Sequence, residues 1–291
     1  MRSIPEFRTD APVTPEQYKY IDDAVKVTAR QAMIGRRLMP VFGPLGFGKE
    51  AISYDKLTEV GAAQLTLAWK VDKSEDIANL ARTTVAVPVL SKTFRINRRS
   101  LEASRTAGSP LDIVTAKSAA YKVAKLEDDL ILDGFAADGS TYDISGLYQA
   151  ANNTESTSKD FGTSGNGIDK VNLAMALLLA DNIYPPYNMV LNPTQYMQLH
   201  NELSGTATLE IDVIRRMIGG EVYVTPAQTA DTGMLLAAGD RGYFDLAIGV
   251  DLTTEVELLN LREGKDLFGV VYECVVPRIW ETNAICKLTN I

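Results

Sequence analysis

Residues 51–96 read AISYDKLTEVGAAQLTLAWKVDKSEDIANLARTTVAVPVLSKTFRI, two β-patterned arms around a charged centre. In the first arm Leu57, Val60, Leu65, Leu67, Trp69 and Val71 sit among polar residues with partial alternation. Asp72-Lys73-Ser74-Glu75-Asp76 interrupts, then Val85, Val87 and Val89 alternate again before Phe94 and Ile96. A period of two marks extended strands, so a long hairpin with a polar tip is expected. A hairpin of this length buries little by itself and is marginal in water. It needs a surface to lie on, either the body of its own domain or another copy of the chain.

Working outward, Thr14-Pro15-Glu16-Gln17 reads as a cap, a proline in the first turn and a glutamine placed for a capping box. Tyr18, Ile21, Val25, Ala29 and Ala32 follow at helical spacing. Gly35 is expected to end that helix, with Arg30, Arg36 and Arg37 at the negative end of its dipole. On the other side of the hairpin, Ser109-Pro110 opens the longest helix, which runs through Ile113, Ala116, Ala120, Val123, Ala124, Leu126, Leu130 and Ile131 to Gly134. About 24 residues at ~1.5 Å each make a spine on the order of 36 Å long.

Asn152 to Gly167 is polar and reads as an exposed connection and domain boundary. Beyond it, Asp169 caps an apolar helix ending near Asp181, and Tyr187 to Asn192 is a buried strand. Helices start at Pro193 and Thr208, the second stopped by Gly219-Gly220, and Glu221 to Thr225 is a strand. Five strands close the chain: Met234–Ala238, Tyr243–Ile248, Thr253–Leu259, Leu267–Val276 and Ala284–Leu288. Helices and strands in this order give an α+β class.

Composition excludes several functions. The chain has 291 residues, 46% hydrophobic and 23% charged, enough for one large or two modest domains. A net charge of −8 opposes general affinity for nucleic acid or an anionic membrane. The longest apolar run, Leu173 to Ala180, is too short to span a bilayer, and Met1 to Arg8 lacks the apolar core of a signal peptide, so a cytoplasmic location is expected. The one histidine, His200, removes multi-histidine zinc sites, and two cysteines, Cys274 and Cys286, cannot hold a four-thiolate metal.

Local motifs add little chemistry. Gly43-Pro44-Leu45-Gly46-Phe47-Gly48-Lys49-Glu50 fits a phosphate-binding loop until Glu50, whose carboxylate stands where a magnesium-ligating hydroxyl belongs. A glycine-rich turn is the better reading. Glu127, Asp128, Asp129 and Asp133 on the spine helix lack the Glu-x-x-His partner of a di-metal site. His200 reads as a surface or interface residue. Cys274 and Cys286 read as buried thiols, a disulfide requiring their strands to lie side by side. No nucleophile, base and orienting group can be assembled, so a non-enzymatic role is expected.

The ordered series Thr14-Pro15-Glu16-Gln17-Tyr18, Ile21-Asp22, Gly35-Arg36-Arg37, Gly43-Pro44-Leu45-Gly46, Lys125 to Gly134, Ser145-Gly146-Leu147, Pro186 to Asn192 with Tyr196, Gly219 to Pro226 and Gly249-Val250-Asp251-Leu252 resembles the encapsulin family, the shell proteins of prokaryotic nanocompartments. The resemblance covers nearly the whole chain. It implies the phage major-capsid fold of the Hong Kong 97 type. On it, residues 1–45 form an N-terminal helix and arm, 46–96 an extended loop, 97–137 with 233–291 a peripheral domain, and 138–232 an axial domain. The hairpin then lies on an adjacent subunit.

The resemblance further implies an icosahedral homo-oligomer that encloses a cargo enzyme, ferritin-like or a peroxidase, through a targeting peptide. Matching positions for cargo docking are Val25, Arg36, Leu38, Asp251 and Leu252. The pore would be lined by Asn201, Glu202, Leu203, Ser204, Gly205, Thr206, Ala207 and Thr208, whose small uncharged members imply weak charge selectivity. Some family members place a flavin-binding tryptophan where Arg99 stands, so no cofactor is expected. A viral major capsid protein of the same fold is the rival, with packaged nucleic acid as its mark. With the first helix opening near residue 14, no N-terminal scaffolding segment is expected, which favours the container.

Overall fold

A computed structural model describes residues 15–57, 67, 80–97, 99–100, 103, 106, 113–136, 143–239, 242–258 and 266–291. Thr14, the charged centre Asp72 to Asp76, Ser109-Pro110 and most of the expected boundary near residue 138 lie outside them.

Helix α1 (Pro15–Ala32) buries Ile21, Val25 and Ala29, the stripe expected from the four-residue spacing. It packs along the spine helix α3 (Val114–Leu132). Gly35 does not end α1 but opens a one-turn helix α2 (Gly35–Leu38). The reason lies across the contact: a Cβ on Gly35 would fall 2.3 Å from Ile131 Cδ1, so this position is a close approach to the spine and not a cap. The spine starts at Val114 rather than Pro110, and Leu126 lies half exposed outside its buried stripe.

One sheet runs β1 (Val41–Phe42), β11 (Phe244–Leu258), β12 (Leu267–Ile279), β4 (Val89–Ile96), with β1 parallel to β11 and the other pairs antiparallel. The spine helix packs on β4 and β12. The two strands expected at 243–248 and 253–259 are one long strand, β11, with register shifts on either side of Val250. Such bulges re-aim side chains. Here Asp251 points to solvent and Leu252 inward.

Hairpin strands β2 (Ala51–Leu57) and β3 (Leu80–Ala86) pair antiparallel, closed at the base by Val87 N–H to Glu50 O at 2.8 Å. Within the stretch 46–96 expected as an extended loop, β4 is a ladder strand of the sheet, because Leu90, Phe94 and Ile96 alternate into the core.

A second, mixed sheet runs β7 (Asn153–Glu155), β13 (Ile285–Thr289), β10 (Thr232–Ala237), β8 (Tyr187–Leu191), β9 (Gly219–Val224). Helix α5 (Asn166–Ala180) covers it, and α7 (Glu210–Ile218) packs on β8, β9 and α5. Across the division expected at 232/233, β10 and β13 pair with β8 and β7 of the 138–232 segment rather than with β11 and β12. The stretch 152–167 is not wholly a connection, because β7 lies inside it. Nor does Asp169 cap α5: Gly165, in the left-handed region at φ 90°, precedes the helix, and Asp169 sits in its first turn. Short elements complete the described chain: α4 (Leu147–Ala150), α6 (Pro193–Gln198), and the pair β5 (Gly134–Phe135) with β6 (Ile144–Ser145). One contiguous apolar core joins both sheets.

Candidate functional site

Arg36, in α2, reaches into the junction of three elements. Its Nε donates to Glu127 Oε1 of the spine helix at 2.8 Å, Nη1 to Asp251 Oδ1 of β11 at 2.8 Å, and Nη2 to Glu273 Oε2 of β12 at 2.9 Å. The Glu127 and Glu273 side chains are fully buried, while that of Asp251 is 55% exposed. Burial works against the charge on Arg36, but the carboxylates around it hold its acidity far below that of a free guanidinium. Beside it, Asp128 accepts the Ile34 and Gly35 N–H groups at 2.8–3.1 Å, satisfying backbone donors at the start of α2. The bulge in β11 supplies the remaining member: Leu252 N–H donates to Asp251 Oδ1 at 2.9 Å and fixes that carboxylate at the rim.

A cavity of about 70 Å³ opens against this cluster, lined by Lys26, Ala29, Arg30 and Met33 of the N-terminal segment with Arg36, Asp251 and Leu252. The structure therefore brings together three of the five expected docking residues, Arg36, Asp251 and Leu252. Val25 and Leu38 are not among the cavity's lining: both are buried in the core, at 0% and 3% exposure. Lys26, Ala29, Arg30 and Met33 were not anticipated, although the exposed positions flanking the buried stripe of α1 could have found the two basic residues.

Residues Asn201 to Thr208 form a tight, mostly exposed excursion between α6 and α7. Leu203 N–H donates to Thr208 O at 3.0 Å, Glu202 bridges Leu209, and Ser204 N–H donates to Ser164 Oγ at 2.9 Å. Gly205 turns the chain at φ 80°. Ser204, Gly205, Thr206 and Ala207 sit at the exposed tip, and Glu202, an exposed carboxylate, is the one charge within these eight residues. Arg99 is exposed, its N–H bonded to Asn97 Oδ1.

The remaining motifs resolve into structure. In the glycine-rich loop, Leu45 and Gly46 donate their N–H groups to Ile248 and Gly249 carbonyls, Pro44 has none to give, and the next element is a strand. The helix N-terminus of a phosphate cradle is missing there. Among the described residues no group of three or more His, Cys, Asp or Glu gathers in metal-binding geometry. The His200 ring packs on Tyr196, with Nδ1 2.9 Å from the Tyr196 carbonyl. Cys274 and Cys286 are free and buried, on strands of different sheets, and burial pushes the Cys286 thiol up to about 12.

Comparison with known proteins gives a family model described as an encapsulating protein for peroxidase, matching residues 6–257. A type 1 encapsulin shell protein, EncA, of Myxococcus xanthus is 29% identical over 98% of this chain and 97% of its own length. A diheme-cytochrome-encapsulin shell fusion protein of Kuenenia stuttgartiensis is 29% identical over 95% of this chain and 73% of its own. Among solved structures, the virus-like particle of Pyrococcus furiosus superposes with a TM-score of 0.69 at 18% identity, covering 94% of this chain and 98% of that one. The capsid of Myoviridae phage XM1 gives 0.63 at 15% identity over 89% and 92%. At such identities the two structures establish the α+β phage-capsid fold and nothing further.

Proposed function

This chain belongs to the encapsulin family, and from that membership we propose that it is a shell protein which self-assembles into an icosahedral nanocompartment and encloses a cargo enzyme. The observation that carries the reading is the hairpin. Its base is anchored by buried Ile52 and by Tyr54, whose ring packs on Trp280 and whose hydroxyl donates to Ile279 O at 3.4 Å. Among the described hairpin residues β2 packs against β3, and Leu80 is 65% exposed. An element that buries so little of itself gains stability from a neighbouring copy, and closed symmetric assembly provides one at every position.

The role is structural, not catalytic, and needs no cofactor. Cargo docks through a targeting peptide in the groove edged by Arg36, Asp251 and Leu252, where Lys26 and Arg30 offer charge. Its exposed tip suits the 201–208 excursion to line the pore, with Glu202 giving that pore an acidic rim. A ferritin-like protein or peroxidase is the expected cargo, in the cytoplasm. No described helix is long and apolar enough to cross a membrane. Mass spectrometry and nucleic-acid assay of particles from the native host test the proposal. Packaged protein with a shared terminal peptide is expected; packaged DNA would make the chain a viral capsid protein.

A further inference from the structure

The Arg36 cluster leaves two polar atoms unexplained. Glu127 Oε1 and Glu273 Oε2 each accept from Arg36, but the opposite oxygens, Glu127 Oε2 and Glu273 Oε1, are buried with no hydrogen-bond partner. Both carboxyls accept from the same guanidinium, one from its Nε and one from its Nη2, which sets them next to each other. Were both ionised, two buried anions would adjoin with an unpartnered oxygen on each, the arrangement that forces carboxyl pairs to share a proton. We propose that Glu127 and Glu273 share a single proton and, with Arg36, form a proton-binding latch that ties the N-terminal arm to the spine helix and the β11–β12 sheet.

The surrounding charges fit. One shared proton leaves the pair with a single negative charge against the single positive charge of Arg36, a neutral buried unit; losing it leaves one cation against two anions. Asp251 on β11 takes the third arm of Arg36 at the solvent rim, where it adds to the repulsion. Asp128, next on the spine, is occupied by backbone donors. Cys274, next on β12, is held as a neutral thiol by burial and by Glu273. Lys26 and Arg30 of α1 border the same cavity. Burial first, then the neighbouring Glu127, pushes Glu273 up to about 9 against the pull of Arg36.

The sign of the pH dependence follows. The folded chain keeps a proton that the unfolded chain releases near 4.5, the ordinary value for this group. The stabilisation is complete below that pH and is lost progressively as pH rises to about 9, by roughly tenfold in the folding equilibrium per pH unit for one proton. Asp128, pushed up to about 6 by burial, acts in the same direction but lower, and the raised thiols act only near and above their ordinary value of 9.0, so the interval between pH 7 and that value isolates the pair.

Infrared spectroscopy of the purified chain, in whatever assembly state it adopts, tests the latch independently of the shell reading. At about pH 7.5 the wild type should show a protonated-carboxyl band that fades as pH passes about 9. E273Q, whose amide still donates to Glu127 and accepts from Arg36, should lack the band and lose the tenfold-per-unit dependence of unfolding. E127Q makes the same comparison if E273Q does not fold. A wild type without the band, or a band that survives the substitution, overturns the proposal.

Discussion

Arg36 is the residue on which the candidate site turns, because one side chain satisfies three carboxyls from two strands and a helix. Replacing it by alanine strands two fully buried acidic groups without a cation, a loss that typically costs about 3–5 kcal/mol. R36A should therefore lower the free energy of urea unfolding by that amount at fixed protein concentration, and R36K should recover only part, since one ammonium cannot present the guanidinium fork. Arg36 and the bulge residues were legible through the family resemblance. Glu127 was legible in principle: it stands four residues after Val123 and four before Ile131, a charge on a buried stripe. Glu273 is likewise a lone charge in the apolar run Val270 to Val276. Neither position names its partner, because pairing depends on α2 crossing the spine. Val25 and Leu38 show the converse: an apolar residue under a site and one in it look alike in sequence.

Among the elements, the hairpin separates folding from assembly. Glu50 and Val87 already meet through a hydrogen bond, so residues 51–86 can be replaced by a short glycine–serine link without parting the chain around them. The shortened protein should keep its circular-dichroism spectrum and a cooperative thermal transition but give no large particles by light scattering. Particles of wild-type size would show that the hairpin does not hold the shell. The alternation of Val85, Val87 and Val89 announced extended structure, yet it could not reveal that Val85 belongs to the hairpin while Val89 begins a ladder strand. The same limit explains β10 and β13. Their apolar runs mark them as strands, but which sheet receives them is a non-local choice, made by their pairing with β8 and β7. At Gly269 the local signal is equally silent: a Cβ there would sit 2.2 Å from the Phe94 ring, so the glycine lets an aromatic lie over the strand.

For the whole molecule, the composition narrowed the field before any element was placed. One histidine, two cysteines and a charge of −8 left little room for catalysis or nucleic-acid binding, and the fold supplies a body with an arm reaching off it. A shell explains that arm, since many modest contacts close a stable cage where one would not. The most direct test is electron microscopy with mass measurement on this chain expressed alone. Uniform, hollow, closed particles whose mass is a whole multiple of the 31.7 kDa chain are the result expected. A chain that remains monomeric at every concentration and salt tried would contradict the account.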